Sequence, residues 1–356
     1  MENNLRINNI LIIANGALNK TGVPCLILEL SKILKRENFN VEIIYFSETG
    51  NTILNDFLKI GIKVCYIPYS KSKQGFKSFL EEHKQFDVIH CFNEYDSLPF
   101  LKIAKKKHIP IRILHTNGIV HSSKHPLKRL YLSLVKKQIN SLITKRVGCS
   151  KEACKSAFGD KKNYTVFPNP YNEEIYKYHE ISSSPQAISF VQVGSFQPNK
   201  NQLFSILVIE QIIKRYPNSK LFLIGNDFYK DYSTAMKNYV LEHNLTNNVI
   251  FLKYDEDQIK YFDKSNYMLF PSQVEGFGTT LLEGQSSGLK CIASDTVPKS
   301  TNFGGVVFLK LSDGPNAWAK MIINDYQANG WKRQHYNTDL HKKENLIKVI
   351  RAIYAK

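Results

Sequence analysis

The sequence predicts an α/β protein built from two doubly wound, Rossmann-like parallel sheets. Short runs of β-branched and aliphatic residues alternate with amphipathic segments of helical length along most of the 356 residues. The alternation restarts near residue 187, after a stretch rich in proline and serine. A chain of this length also exceeds the roughly 250–300 residues at which a single hydrophobic core usually stops growing. Two domains facing a cleft are therefore expected.

Six strand-sized apolar runs in the first half of the chain predict buried parallel strands. The segments between them have helical periodicity; in residues 25–35, for example, leucines and isoleucines recur at the spacing of one helix face. The six predicted strands cover residues 10–14, 41–46, 64–67, 88–92, 111–114 and 164–167.

Five further runs repeat this pattern in the second half. The domain boundaries are placed at residues 1–168 for an N-terminal domain, 169–186 for a linker and 187–340 for a C-terminal domain. Residues 341–356 form a basic amphipathic C-terminal helix that could pack back on the N-terminal domain. The predicted strands of the second half cover residues 187–193, 221–224, 249–252, 267–270 and 291–293.

The composition excludes several classes of protein. Hydrophobic residues make up 43% of the sequence, which excludes general disorder. No apolar run reaches the roughly 18 residues of a spanning helix, and residues 1–16 lack the pattern of a signal peptide. The 6 cysteines are scattered without a CxxC pair, as is usual for buried thiols in a reducing compartment. We therefore expect a cytoplasmic protein.

The most informative segment is residues 270–295, where a strand runs into a glycine-bearing turn and then a helix. Glycines in the turn Glu275-Gly276-Phe277-Gly278 allow close approach to a ligand, and the helix start near Thr279 suits a phosphate. Glu283 lies seven residues after Gly276, so it returns to the same helix face. There it could accept hydrogen bonds from the vicinal hydroxyls of a sugar. The alternative is a capping carboxylate followed by a surface glutamate.

The pattern E-G-F-G-x-x-x-x-E of residues 275–283 resembles the nucleotide-sugar motif of retaining GT-B glycosyltransferases of glycosyltransferase family 4, also called glycosyltransferase group 1. Residues 191–202 (VQVGSFQPNKNQ) and 166–177 (VFPNPYNEEIYK) resemble other segments of that family. In the N-terminal half, FDVIHCFN, IRILHTNG and GCSKEA resemble the branch that builds capsular polysaccharide, exopolysaccharide and O-antigen. The resemblance covers nearly the whole chain. It implies that the N-terminal domain, residues 1–168, is the acceptor side and that the C-terminal domain, residues 187–340, binds the nucleotide sugar.

The resemblance implies roles for individual residues in the second half. Glu283 would bind the ribose hydroxyls of the donor, and Glu275 would contact the transferred sugar. Lys200 matches the lysine that neutralises the diphosphate leaving group. The donor site would also include the glycine-bearing turn and the loop after the first strand of this domain, namely Gly276, Phe277, Gly278, Thr279, Gly194 and Ser195.

Two further positions, Ser195 and His115, bear on the expected donor site. The family usually has an arginine at position 195, where this chain has serine, so either Arg146, Lys151 or another basic residue substitutes or Lys200 acts alone. His115 matches a histidine that reaches the donor sugar from the N-terminal domain.

Gly22 matches a glycine of the family that lies under the phosphates, although the first of the usual two glycines is Thr21 here.

Two other kinds of site, a P-loop and a metal site, are disfavoured. Gly16 and Gly22 are not followed by Gly-Lys-Ser/Thr, which excludes a P-loop. Helix capping explains residues 255–257, Asp-Glu-Asp, without a metal. We expect no metal and no cofactor.

Positive charge is clustered as well as abundant, with 48 Lys and Arg against 31 Asp and Glu and a net charge of +17. A basic amphipathic helix with leucines and a tyrosine is typical of proteins that bind an anionic membrane surface. An ordinary solvated helix is the alternative, and no nucleic-acid recognition motif accompanies the charge. The cluster within residues 105–146 comprises Lys105, Lys106, Lys107, Lys124, Lys128, Arg129, Lys136, Lys137, Lys145 and Arg146.

Together these features predict a retaining, metal-independent glycosyltransferase at the inner face of the cytoplasmic membrane. It would move a sugar from a nucleoside diphosphate sugar, linked through uridine or guanosine, to a lipid-linked glycan in bacterial surface polysaccharide synthesis. A sugar-nucleotide epimerase of the same architecture and a catalytically degenerate membrane adaptor are the alternatives.

Overall fold

The computed structural model describes residues 9–14, 16–83, 85–119, 125–178, 180, 187–254, 258–330 and 332–355. The chain divides into two compact units. The N-terminal unit comprises Met1–Pro170 and Leu340–Lys356, and the C-terminal unit comprises Tyr171–Asp339. The acidic residues 255–257 and the basic stretch at 121–124, with Lys124, lie outside the described residues, as do residues 181–186 of the predicted linker.

The N-terminal unit contains a seven-stranded sheet in the order β3-β2-β1-β4-β5-β6-β7, with every neighbouring pair parallel. Both faces of the sheet are buried. Alternate residues of the first strand belong to different core clusters, Ile10 and Ile12 to one and Leu11 and Ile13 to the other. The strands are β1 (Asn9–Ile13), β2 (Asn40–Tyr45), β3 (Lys63–Tyr66), β4 (Val88–Cys91), β5 (Ile111–Thr116), β6 (Lys145–Gly148) and β7 (Thr165–Val166).

Helices cover both faces of this sheet, as the parallel pairing requires. They are α1 (Gly22–Arg36), α2 (Leu54–Lys59), α3 (Ser72–Glu82), α4 (Leu98–Lys106), α5 (Pro126–Leu142), α6 (Lys151–Phe158) and, from the end of the chain, α12 (Lys343–Tyr354).

Helix α12 packs on the N-terminal unit, which confirms the expectation for the C-terminal helix. Its apolar face lies in the same core cluster as the even-numbered residues of β1. Two ion pairs join it to α1 and to the residue that follows α1: Lys343 Nζ lies 3.0 Å from Glu29 Oε2, and Arg351 lies 2.8 Å from Glu37. The buried side chains of this face are Leu346, Ile350, Ile353 and Tyr354.

The C-terminal unit contains a second parallel sheet, in the order β10-β9-β8-β11-β12-β13. Counted within the unit, this is the Rossmann order 3-2-1-4-5-6. The strands are β8 (Ser189–Val193), β9 (Lys220–Ile224), β10 (Val249–Leu252), β11 (Tyr267–Phe270), β12 (Lys290–Ser294) and β13 (Val306–Leu309); the helices are α7 (Gln202–Ile212), α8 (Lys230–Glu242), α9 (Ile259–Asp263), α10 (Thr279–Ser286) and α11 (Gly314–Asn329).

The predicted fold class, two doubly wound parallel sheets, is confirmed. Strands β6 and β13 were not predicted, although β13 reads VVFL, an apolar run. Strand β6 reads KRVG and has only one large apolar residue, so it contains no apolar run that would predict a strand. Its pairing with β5 and β7 defines it as a strand. No helix among the described residues is long and apolar enough to cross a membrane.

Truncation of one buried residue tests how strongly α12 is held. Ile350 is fully buried, so Ile350→Ala should leave a cavity and lower the free energy of unfolding by about 2–5 kcal/mol. Urea denaturation followed by circular dichroism measures the change. The exposed Lys348→Ala on the same helix is the control; equal stability of the two variants would contradict the packing of α12.

Candidate functional site

The C-terminal unit places two loops side by side at its topological switch point. Strands β8 and β11 are neighbours, although their outgoing connections lead to opposite sides of the sheet order. Ligands of open α/β sheets bind beyond the carboxyl ends of such strands. The loop at residues 194–201 follows β8, and the loop at residues 271–278 follows β11. Each loop contains predicted site residues.

Buried glutamines hold the first loop in shape. Gln192, on β8, donates from Nε2 to the carbonyl oxygen of Lys200 at 2.8 Å. Gln202, at the start of α7, donates to the carbonyl oxygens of Ser195 at 3.0 Å and Gly194 at 3.2 Å. Gly225, after β9, is required here because a Cβ atom on it would lie 2.1 Å from the Gly194 carbonyl oxygen. The backbone that leads to Lys200 is therefore preorganised.

The second loop is tied to the first and turns directly into α10. The amide of Gln273 donates to the carbonyl oxygen of Asn199 at 2.8 Å. Gly278 has φ +95°, a left-handed conformation that favours glycine, and it precedes Thr279 as the N-cap of the helix. The predicted helix start at Thr279 is observed.

Lys200 and Glu275 form an ion pair between the two loops. Lys200 Nζ lies 2.5 Å from Glu275 Oε1, and the side chains are 22% and 11% exposed. The ammonium also lies 5.6 Å from the centroid of the Phe270 ring, a cation–π contact. Each charge is thus compensated, yet both groups stay reachable from solvent. The sequence analysis assigned both residues to one site without foreseeing that they pair.

Glu283 lies in a different environment from Glu275. It projects from α10 and is half-buried, and among the described residues it forms no ion pair. Desolvation raises the pKa of its carboxyl from 4.5 to about 8. The raised pKa therefore favours a protonated Glu283 at neutral pH, and the protonated carboxyl can donate as well as accept a hydrogen bond.

Buried polar residues that the sequence analysis did not single out fix α10 in place. Gln285 Nε2 donates to the carbonyl oxygens of Leu281 and Thr301 at 2.9 and 2.8 Å, and its Oε1 accepts from the amide of Phe303 at 2.8 Å. Ser286 Oγ lies 2.7 Å from Tyr171 Oη. Gln285 is fully buried, but a lone glutamine in the sequence of a helix carries no periodic signal that would have predicted this.

The predicted residues of the N-terminal unit lie at the carboxyl edge of its own sheet. His115 is near the end of β5 and fully buried, with Nδ1 3.2 Å from His90 Nε2. Gly22 begins α1 and is exposed, with open space where a Cβ would be. Of the basic residues considered as substitutes for the missing arginine, Arg146 donates from Nε to Asn140 Oδ1 at 2.9 Å and so ties β6 to α5; Lys151 is exposed at the start of α6.

The raised pKa of Glu283 predicts a pH-dependent cost to folding. An unfolded glutamate titrates near 4.5, so the stability contributed by the buried, protonated form is complete below that pH and is lost as pH rises through 8. Glu283→Gln is neutral at every pH. Its melting temperature relative to wild type should therefore increase from pH 5 to about pH 8 and stay constant above that pH.

Differential scanning fluorimetry across this pH range measures the effect. Glu275→Gln is the matched control, because Glu275 pairs with Lys200 and its loss should lower stability at neutral pH. A constant difference between Glu283→Gln and wild type from pH 5 to 9 would contradict the assigned environment.

The chain resembles known proteins in both sequence and structure. Residues 176–301 match the family model described as Glycosyl transferases group 1. The chain is 20% identical to the "Putative glycosyltransferase EpsF" of Bacillus subtilis, over 90% of this chain and 88% of that protein. It is 25% identical to the "Capsular polysaccharide biosynthesis glycosyltransferase CapH" of Staphylococcus aureus, over 86% and 87%. A "UDP-Gal:alpha-D-GlcNAc-diphosphoundecaprenol alpha-1,3-galactosyltransferase" of Escherichia coli is 25% identical over 77% and 76%.

Two solved structures show the same fold at low identity. Anabaena HepE in complex with UDP superposes with a TM-score of 0.73 and 14% identity, over 98% of this chain and 96% of that chain. TarM superposes with a TM-score of 0.76 and 12% identity, over 99% and 100%. The protein therefore contains a glycosyl transferases group 1 domain at residues 176–301 and is a glycosyltransferase of the GT-B fold.

Proposed function

We propose that this glycosyltransferase is retaining and metal-independent, and that it moves a sugar from a nucleoside diphosphate sugar to a lipid-linked glycan during synthesis of a bacterial surface polysaccharide. The observation that carries the proposal is the Lys200–Glu275 pair at the switch point, beside the start of α10. The relatives support the acceptor class, because one acts in capsular polysaccharide biosynthesis and another on a diphosphoundecaprenol-linked sugar.

The leaving diphosphate is the group that Lys200 would stabilise. Cleavage of the glycosidic bond leaves negative charge on a phosphate, and a preorganised cation lowers the energy of that charge in the transition state. The positive end of the α10 dipole would add to it. Recruitment of Lys200 by the diphosphate would release Glu275, whose carboxylate could then accept hydrogen bonds from hydroxyls of the transferred sugar. The residues thus supply the charge that a metal would otherwise provide.

Glu283 would contact the ribose of the donor, as the resemblance implies. A ribose hydroxyl that donates to the carboxylate favours its ionised form and lowers its pKa from about 8. Binding would therefore release protons near neutral pH. The relatives include proteins named for UDP-galactose and for GDP-mannose, which supports uridine or guanosine as the donor base.

Helix α5 would hold the enzyme on the anionic inner face of the cytoplasmic membrane. Four large apolar side chains on it are 52–73% exposed, and the basic residues Lys128, Arg129 and Lys137 are exposed beside them. Each basic residue near an anionic leaflet contributes about 1 kcal/mol. Lys136 is engaged within the unit, since its Nζ donates to the carbonyl oxygen of Ser156. The exposed apolar side chains are Leu127, Leu130, Tyr131 and Leu134.

A cavity of about 620 Å³ lies at the carboxyl end of α5 and is lined by lysines and apolar residues. Its lining includes Leu142 at the end of α5 and residues of α4. Long basic side chains at a membrane surface can bury their stems against apolar groups while the charged ends reach anionic headgroups. The lysines that line the cavity are Lys73, Lys102, Lys105 and Lys106.

Substitution of the ion pair tests the site. Lys200→Ala should lower kcat by about 100-fold or more, because one preorganised charge on the leaving group is lost. Glu275→Ala and Glu283→Ala should each abolish transfer while circular dichroism stays unchanged. The measurement is release of nucleoside diphosphate in the presence of a lipid-linked acceptor, and the exposed Glu242→Ala on α8 is the control.

Three outcomes of this assay would overturn parts of the proposal. Wild-type turnover by any of the three site variants refutes the assigned site. Conversion of the donor sugar without an acceptor indicates an epimerase. Loss of activity in EDTA that Mg²⁺ or Mn²⁺ restores refutes metal independence.

Membrane docking is tested by sedimentation with vesicles of phosphatidylglycerol or phosphatidylcholine. We expect binding to the anionic vesicles alone, release at high salt, and roughly tenfold weaker binding of Leu130→Glu. Leu241→Glu, an equally exposed leucine on α8, is the matched control. Equal binding to both lipids, or equal effects of the two substitutions, would contradict the assignment to α5.

A further inference from the structure

Three buried side chains form a hydrogen-bonded chain from α12 to the end of β5. Tyr354 Oη lies 2.7 Å from His90 Nδ1, and His90 Nε2 lies 3.2 Å from His115 Nδ1. All three residues are at most 2% exposed. Phe92 stacks on the His115 ring at 4.7 Å, and Phe167 meets it edge to face. The three polar groups therefore exchange hydrogen bonds in an apolar environment.

The hydrogens in this chain can be placed one after another. Burial lowers the pKa of His90 well below its usual value and that of His115 to about 3, so both rings are neutral at pH 7. Burial raises the pKa of Tyr354, so its hydroxyl keeps its proton. A neutral imidazole has one donor and one acceptor nitrogen. What remains is to decide which nitrogen of each ring carries the hydrogen.

Tyr354 decides that assignment. In the described part of the chain, the one hydrogen-bond partner of its hydroxyl is His90 Nδ1, so the buried O–H group donates there. His90 Nδ1 is then the acceptor, and the hydrogen of His90 lies on Nε2 and is donated to His115 Nδ1. The hydrogen of His115 must therefore lie on Nε2.

His115 Nε2 is the end of the chain of hydrogen bonds. It is buried and has no hydrogen-bond partner among the described residues. A buried donor without an acceptor is rare in folded proteins, and a catalytic or binding role is one of the explanations for such a group. Because the nitrogen is buried, a ligand can reach it only if the side chains that cover it move.

We propose that Tyr354 and His90 are positioning residues that hold His115 as the Nε2–H tautomer, a hydrogen-bond donor to an oxygen of a bound sugar. The identity of that oxygen, a hydroxyl of the donor sugar, rests on the proposed function; the tautomer does not. The last turn of α12 thereby determines a property of a residue on β5, 239 positions earlier in the chain.

Long-range ¹H–¹⁵N NMR of the full-length, ¹⁵N-histidine-labelled protein tests the tautomer. His115 should show a protonated Nε2 and an unprotonated Nδ1 between pH 6 and 8. Tyr354→Phe keeps the ring and removes the donor, so a mixture of tautomers should appear. Ile353→Val, which removes one buried methylene from the same helix, should leave the spectrum as in wild type.

Kinetics test the function of the tautomer. Tyr354→Phe should raise the KM for the nucleoside diphosphate sugar about three- to tenfold and leave the Kd of the bare nucleoside diphosphate unchanged. His90→Gln, whose amide can still donate, should restore most of the affinity that His90→Leu loses. This second pair keeps the test available if Tyr354→Phe fails to fold.

The outcomes separate this inference from the proposed function. A wild-type His115 that is Nδ1-protonated or charged at pH 7, or one whose spectrum Tyr354→Phe leaves unchanged, overturns the tautomer assignment. An equal loss of sugar and bare nucleotide binding overturns the positioning role. A wild-type protein that shows the expected tautomer and transfers no sugar refutes the proposed function alone.

Discussion

Every strand pair in both sheets is parallel, and this constraint determines where the functional groups lie. Carboxyl ends of parallel strands meet at one edge of a sheet, so loops from distant parts of the chain become neighbours there. Lys200 and Glu275 are 75 residues apart in sequence and 2.5 Å apart in space because β8 and β11 are adjacent. The glutamines on β8 and α7 and the glycine after β9 then fix the loop backbone.

The two glutamates of the E-G-F-G-x-x-x-x-E segment show how environment separates identical side chains. Glu275 lies against an ammonium that compensates its charge. Glu283 lies seven residues after Gly276, half-buried and without such a partner among the described residues, and desolvation raises the pKa of its carboxyl. One carboxylate is therefore charged and paired, whereas the raised pKa of the other favours its protonated form at neutral pH. A single motif supplies two different hydrogen-bonding groups.

The fold was predictable for most segments in which the residue pattern is strong, although the apolar run VVFL of β13 was missed. Eleven apolar runs correspond to eleven strands, because strands buried on both faces need continuous apolar sequence. Strand β6 was missed because KRVG contains little apolar surface, and its pairing with β5 defines it. The start of α10 was located correctly because glycine in a left-handed conformation ends the preceding turn. Gln192, Gln202 and Gln285 were not singled out, since a lone amide has no periodic signal.

The sequence by itself determined the fold class, the strand and helix segments that apolar periodicity defines, and the identity of the candidate site residues. Only the tertiary structure decided the states of those residues. The Lys200–Glu275 pair, the protonation of Glu283 and the hydrogen bonds from Tyr354 to His115 depend on distances between residues far apart in the chain. The physical reason is that the periodicity of apolar residues reports which side of one segment is buried, and each segment shows it alone. Protonation and hydrogen bonding depend instead on which groups of different segments come into contact.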